Sequence, residues 1–150
     1  MYEYALTGQD GKEVTLASYK GRILVLEFFA TWCPPCRRDL PEIASLQDQY
    51  PVEKLAIVAV SADGSTHTES RVPAFLQGAG IKIPALIGSA LFIDHFTGVD
   101  EKSGRQIVLP QTYVFDAEGE MLLRFVGERK AKKRDLAGEL DRVLKEASSS

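Results

Sequence analysis

An apolar run, Ile23–Phe29, interrupted only by Glu27, leads within a few residues into Cys33-Pro34-Pro35-Cys36. The run is rich in β-branched and aromatic residues and lacks polar alternation, so it reads as a strand buried on both faces, with Phe28 and Phe29 in the core. Proline is tolerated in a first helical turn, where its missing N–H would have no partner anyway. A helix is therefore expected from Pro34-Pro35, continued on helical spacing by Leu40, Ile43, Ala44 and Leu46, with a kink at Pro41. The cysteine pair thus falls between a buried strand and a helix.

Other segments complete a pattern of alternating strands and helices. Glu3–Leu6 and Glu13–Leu16 flank Thr7–Lys12, whose Asp10-Gly11 step signals a hairpin. Leu55–Ala62 reads as a second buried strand, and Val72, Phe75, Leu76 and Ala79 share one helical face. Thr112–Asp116 and Met121–Val126 form another hairpin around Ala117-Glu118-Gly119. Leu136, Leu140, Val143 and Leu144 mark a C-terminal amphipathic helix. The expected order is ββ, β-α-β-α, then β-β-α: an α/β fold with a mixed central sheet flanked by helices and an N-terminal β-hairpin. With 150 residues, no internal repeat and no low-complexity linker, residues 1–150 are expected to form one domain.

Composition excludes several classes of function. The net charge is −3, and the only basic run, Lys130–Arg134, is short enough to read as a solvated helix end, so nucleic acid is not an expected partner. Ile23–Leu26 stops at Glu27, and Pro84–Ile93 is broken by Gly88 and Ser89, so no run reaches the roughly 20 apolar residues of a membrane span. Met1-Tyr2-Glu3-Tyr4 lacks the basic start and apolar stretch of a signal peptide, so a leader or anchor would lie outside this sequence. Ser148-Ser149-Ser150 reads as a frayed end. The chain has only two cysteines, which excludes a disulfide scaffold and a four-cysteine zinc site. A redox pair, or half of a metal site, remains.

The spacing lets two sulfurs close a small ring across one helical turn. Cys33, at the helix start, feels the positive end of the macrodipole, which favours its thiolate and makes it the expected attacking sulfur. Cys36, one turn in and shielded, would resolve a mixed disulfide by attacking Cys33. Trp32, Pro34 and Pro35 shape the exposed surface around it.

The run Phe28–Arg37 as a whole resembles the thioredoxin superfamily, and within it the ResA/TlpA/CcmG-like group of extracytoplasmic thiol–disulfide oxidoreductases. The resemblance extends over nearly the whole chain. Gly11–Leu16 with Tyr19-Lys20-Gly21 is similar to the group's lead-in to the first core strand, Cys36–Pro41 to its helix start, and Leu109–Asp116 to its Pro-Thr-Thr-strand segment. The resemblance implies a thioredoxin-like fold and dithiol–disulfide exchange with cysteine-bearing protein substrates. It implies no cofactor beyond the Cys33–Cys36 disulfide, and no metal. It makes Pro110 a cis-proline facing the cysteines, with Leu109 offering backbone groups to substrate. It places Glu27 where thioredoxin keeps a buried aspartate that exchanges protons with the second cysteine, and Asp39 where the group has a pKa-tuning glutamate. It further implies a monomer that is periplasmic or otherwise extracytoplasmic, tethered in some members. A membrane-bound thiol electron donor would serve it, and exported proteins or apocytochrome c would be its substrates. Ala90–Val108 is longer than the group's usual approach to the cis-proline.

Each assignment has an alternative. Glu27, an isolated carboxylate in an apolar strand, serves either proton transfer, with a raised pKa, or a structural ion pair. Asp39 is either a tuning acid or a solvated first-turn acid. His67 and His95, the only histidines, read as surface or helix-end residues rather than zinc ligands. A peroxiredoxin-like thiol peroxidase shares the fold but wants threonine three residues before its cysteine, where this chain has Ala30. A non-catalytic binding module on the same fold would not need both cysteines.

Overall fold

The computed structural model describes residues 4–8, 10–63, 68–97, 108–127 and 132–148. In chain order these give β1 Ala5–Gly8, β2 Glu13–Thr15, β3 Ile23–Phe29, α1 Pro34–Ser45, β4 Leu55–Ser61, α2 Thr68–Gly78 and β5 Ala85–Ile87. Then follow α3 Ala90–Thr97, β6 Gln111–Phe115, β7 Met121–Val126 and α4 Lys132–Ser148. One sheet carries the strands in the order β2-β1-β5-β4-β3-β6-β7. β3, β4 and β5 run parallel, and β6 and β7 extend the sheet antiparallel from β3.

All seven residues of β3 and all seven of β4 are buried, as continuous apolar runs in a covered parallel pair should be. Two successive right-handed crossovers that advance the same way across a sheet put both helices on one face. Side-chain contacts agree. Phe29 stacks on Phe75 of α2 with centroids 5.6 Å apart, and Glu27, on the same face of β3, meets Asp39 of α1 and Lys132 of α4. Phe28 points the other way, into Phe92 and Phe96 of α3 and Tyr113 of β6. α3 therefore covers the opposite face, and its aromatic cluster continues to Tyr4, 5.0 Å from Phe92.

The structure corrects the expected order by inserting β5 and α3. β5 is three residues long, too short for any periodicity to show, and exists because β4 and β1 bond it from both sides. α3 begins where Ser89 Oγ accepts the Phe92 N–H at 3.2 Å, an N-terminal cap. The break at Gly88 is a close approach: a Cβ there would lie 2.7 Å from Ile93 Cδ1. The first strand of the N-terminal hairpin sits two residues nearer the turn than expected, while the second starts at Glu13 as expected; Gly8 N–H donates to Lys12 O at 2.8 Å and closes the turn. α1 runs through Pro41 without ending. Of the Ala90–Val108 stretch, Ala90–Thr97 is α3, and residues 98–107 lie outside the described residues, as does His67.

Phe92 is fully buried and Leu91 beside it is 79% exposed. Phe92→Ala should cost about 3–5 kcal/mol of unfolding free energy through the cavity it leaves, and Leu91→Ala should stay within about 0.5 kcal/mol. Urea denaturation of the two variants checks this.

Candidate active site

The turn from β3 into α1 is held at its first residue. Thr31 donates through its backbone N–H to Asp63 Oδ1 at 2.9 Å and through its hydroxyl to Asp63 Oδ2. Its carbonyl accepts from Arg37 Nε and Nη2 at 3.2 and 3.0 Å. The Cys33 N–H then closes onto Ala30 O at 3.2 Å. Cys33 takes the N-cap position of α1 in extended conformation, and its Sγ accepts the Cys36 N–H at 3.3 Å. Pro34 and Pro35 fill the first turn without wasting a donor.

Cys33 and Cys36 form a disulfide with Cα atoms 5.3 Å apart. In this oxidised form Cys36 is fully buried and Cys33 is 4% exposed, while Trp32 beside them is 55% exposed and Pro34 is also exposed. On reduction, the N–H aimed at Cys33 Sγ and the helix macrodipole both favour a thiolate there.

The Leu109–Pro110 peptide bond is cis, and both residues are buried. Gln111, next in sequence, pairs with Phe28 near the end of β3, which sets Pro110 at the sheet edge from which the cysteine turn emerges. Gly127 N–H donates to Pro110 O at 2.8 Å and fixes the loop to β7.

Glu27 is fully buried but not isolated. Its register partner Thr112 donates a hydroxyl hydrogen bond to Glu27 Oε2. Lys132 Nζ lies 3.3 Å from Glu27 Oε1 and 2.8 Å from Asp39 Oδ2. Lys132 is 2% exposed and Asp39 is 6% exposed, so the basic run near α4 is not wholly solvated and Asp39 is not a surface acid. One ammonium faces two carboxyl groups, and one retained proton makes the cluster neutral. Burial pushes the Glu27 carboxyl well above its ordinary value, a hydrogen bond with Asp39 raises it further, and the Lys132 charge only partly offsets both. Asp39 lies one turn after Cys36 on the same helix, so the cluster reaches the cysteine turn through α1.

Lys132 is the residue the sequence reading missed. Its signal was present: Lys132, Leu136 and Leu140 follow at four-residue intervals, so the lysine sits on the buried stripe of α4. A charge on an apolar stripe needs a buried counter-charge, and Glu27 in an apolar strand was the matching half. Of the two histidines, His95 packs its ring against Phe96 and Tyr4. Among the described residues no group of three His, Cys, Asp or Glu side chains could hold a metal ion.

The cluster sets a pH dependence. A carboxyl whose folded value lies above its unfolded value near 4.5 binds more protons when folded. It therefore withdraws stability as pH rises above that value. Glu27→Gln should flatten the loss between about pH 5 and 8 and leave stability at pH 8 unchanged or higher. Lys132→Met should cost about 3–5 kcal/mol at neutral pH, because two buried carboxyls lose their cation. Denaturant titrations of both variants across that range read the two effects.

Comparison with known proteins places this geometry. Residues 1–123 match the model of the AhpC/TSA family; Lys132 lies beyond the matched segment. The chain is 29% identical over 140 residues to "Thiol-disulfide oxidoreductase ResA" of Bacillus anthracis, covering 93% of this chain and 74% of that protein. It is 30% identical over 139 residues to "Thioredoxin-like protein YneN" of Bacillus subtilis, covering 93% and 76%. A crystal structure of a thiol:disulfide interchange protein of the thioredoxin family from Chlorobium tepidum superposes with a TM-score of 0.75 at 28% identity, over 94% of this chain and 92% of that one. The chain belongs to the AhpC/TSA family and has a thioredoxin-like fold with its Cys33–Cys36 pair at disulfide distance.

Proposed function

We propose that this chain is a thiol–disulfide oxidoreductase that exchanges its Cys33–Cys36 pair with disulfides of protein substrates. The observation that carries the reading is the disulfide across the first turn of α1, with Cys33 at the N-cap and the Cys36 N–H aimed at its sulfur. In the reducing direction, the Cys33 thiolate attacks a substrate disulfide. A Cys33–substrate disulfide forms and the other substrate sulfur leaves as thiolate. Cys36, deprotonated, then attacks Cys33 Sγ, releases the second substrate thiolate and leaves the Cys33–Cys36 disulfide; two electrons pass to the substrate. The reverse sequence oxidises a dithiol.

Trp32, Pro34, Pro35, Leu109 and Pro110 make the face on which a substrate strand lies. Glu27 is the proton reservoir for Cys36, and Asp39, paired with Lys132, sets the charge around it. The relatives support exchange by their names as thiol–disulfide oxidoreductases. The chain acts as a monomeric single domain outside the cytoplasm on exported proteins or apocytochrome c, re-reduced by a membrane-bound thiol donor. Among the described residues no helix is long and apolar enough to cross a membrane. Ala30, three residues before Cys33, leaves out the hydroxyl a peroxidase would use, so hydrogen peroxide turnover stays at background.

Trapping tests the roles. Cys36→Ser should accumulate mixed disulfides with a peptide disulfide and Cys33→Ser should not; the reverse pattern contradicts the assignment. In the same assay Glu27→Gln should slow resolution at least tenfold above neutral pH, where the base form counts, without slowing the first attack. Unchanged rate–pH behaviour removes Glu27 from the chemistry.

A further inference from the structure

Beside the disulfide, a cleft of about 750 Å³ opens between the start of α1 and the outer face of α2. Trp32, Phe75 and Ala74 give it an apolar lining, and Arg37 and Arg71 stand in it from the two helices. Trp32 is the residue before Cys33, so the cleft opens next to the reacting sulfur. Arg37 is anchored by its two bonds to the Thr31 carbonyl, which hold its guanidinium in one place at no further ordering cost. Arg71 is exposed. Asp63, which holds Thr31, turns its oxygens to Thr31 and Ser61. Two cations beside Trp32 and Phe75, in a chain of net charge −3, are a local reversal of sign.

We infer that this cleft selects substrates: it takes the acidic side chains that flank the reacting cysteine of a cysteine-bearing polypeptide. This rests on the exchange reaction proposed above and names its substrate class. Carboxylates suit the guanidinium fork of Arg71 and the fixed charge of Arg37, whose Nε–Nη2 edge is taken by the Thr31 carbonyl, and an apolar or stacked neighbour suits Trp32 and Phe75. Charge at the rim of a site acts chiefly on the rate of productive encounter and is screened by salt. The selectivity should therefore appear in the rate of mixed-disulfide formation and fade with ionic strength.

The test uses three synthetic peptides, each disulfide-linked to glutathione and identical except for Glu, Gln or Lys at the two positions on either side of the cysteine. Each is mixed with the reduced full chain, and the rate is followed by fluorescence of Trp32, the only tryptophan. Every rate is divided by that of the same peptide with dithiothreitol, which removes the effect of flanking charge on the leaving thiol. At low salt the Glu peptide should react about tenfold faster than the Gln peptide, and the Lys peptide slowest; at 0.5 M salt the spread should shrink to within about twofold. Arg71→Gln should lose most of the Glu preference and Arg71→Glu should invert it, with unfolding curves confirming that both fold. Equal normalised rates for Glu and Gln at low salt overturn the inference and leave the exchange reaction standing, as does an undiminished preference in both Arg71 variants. Reduction of none of the peptides overturns the exchange reaction and this inference with it.

Discussion

Lys132 binds the architecture to the chemistry. Its ammonium joins the middle of β3, through Glu27, to the second turn of α1, through Asp39, and it does so from the first residue of the last helix. A charge withdrawn from water is tolerated only when paired and hydrogen-bonded, so these three elements cannot shift independently without stranding one member. The cysteine turn lies between two of them. The geometry of Cys33 and Cys36 is thus set by a polar lock beneath as well as by the apolar packing of β3 against β4.

That lock also separates the two halves of the site. Below the disulfide, the cluster is buried, and burial and the facing carboxyl push the Glu27 carboxyl well above its ordinary range against the pull of the single cation. Above it, Trp32 and Pro34 stand in solvent, and Trp32 shares a cleft with two arginines. Cys33, the attacking sulfur of the proposed exchange, belongs to the upper half, where the helix start and the Cys36 N–H favour its charge. Cys36, the resolving sulfur of that proposal, is fully buried and belongs to the lower half, where a proton would have to be removed before it could act. One helical turn is enough to give two chemically identical side chains these different surroundings.

Much of this was legible in the sequence, and the parts that were not share a cause. Strands β3 and β4, helix α1, the final hairpin and the amphipathic face of α4 all announce themselves through local periodicity and turn residues. The cysteine motif and the cis bond at Leu109–Pro110 followed from spacing and resemblance. β5 did not show, because a three-residue strand is made by its neighbours rather than by its own pattern. Glu27 was visible as a carboxyl out of place, and Lys132 as part of a basic run, but nothing local paired residues 105 positions apart. Non-local ion pairs are where reading one segment at a time loses the argument.

The central claim is that position within one helical turn makes Cys33 the nucleophile. Alkylation of the reduced protein by iodoacetamide across a pH series, with peptide mass mapping of the labelled sulfur, measures it directly. The account predicts carbamidomethylation of Cys33 alone at early times, with a midpoint well below the value of about 8.5 for free cysteine. Labelling of Cys36 first, or of both sulfurs equally with a midpoint near that of free cysteine, would contradict it.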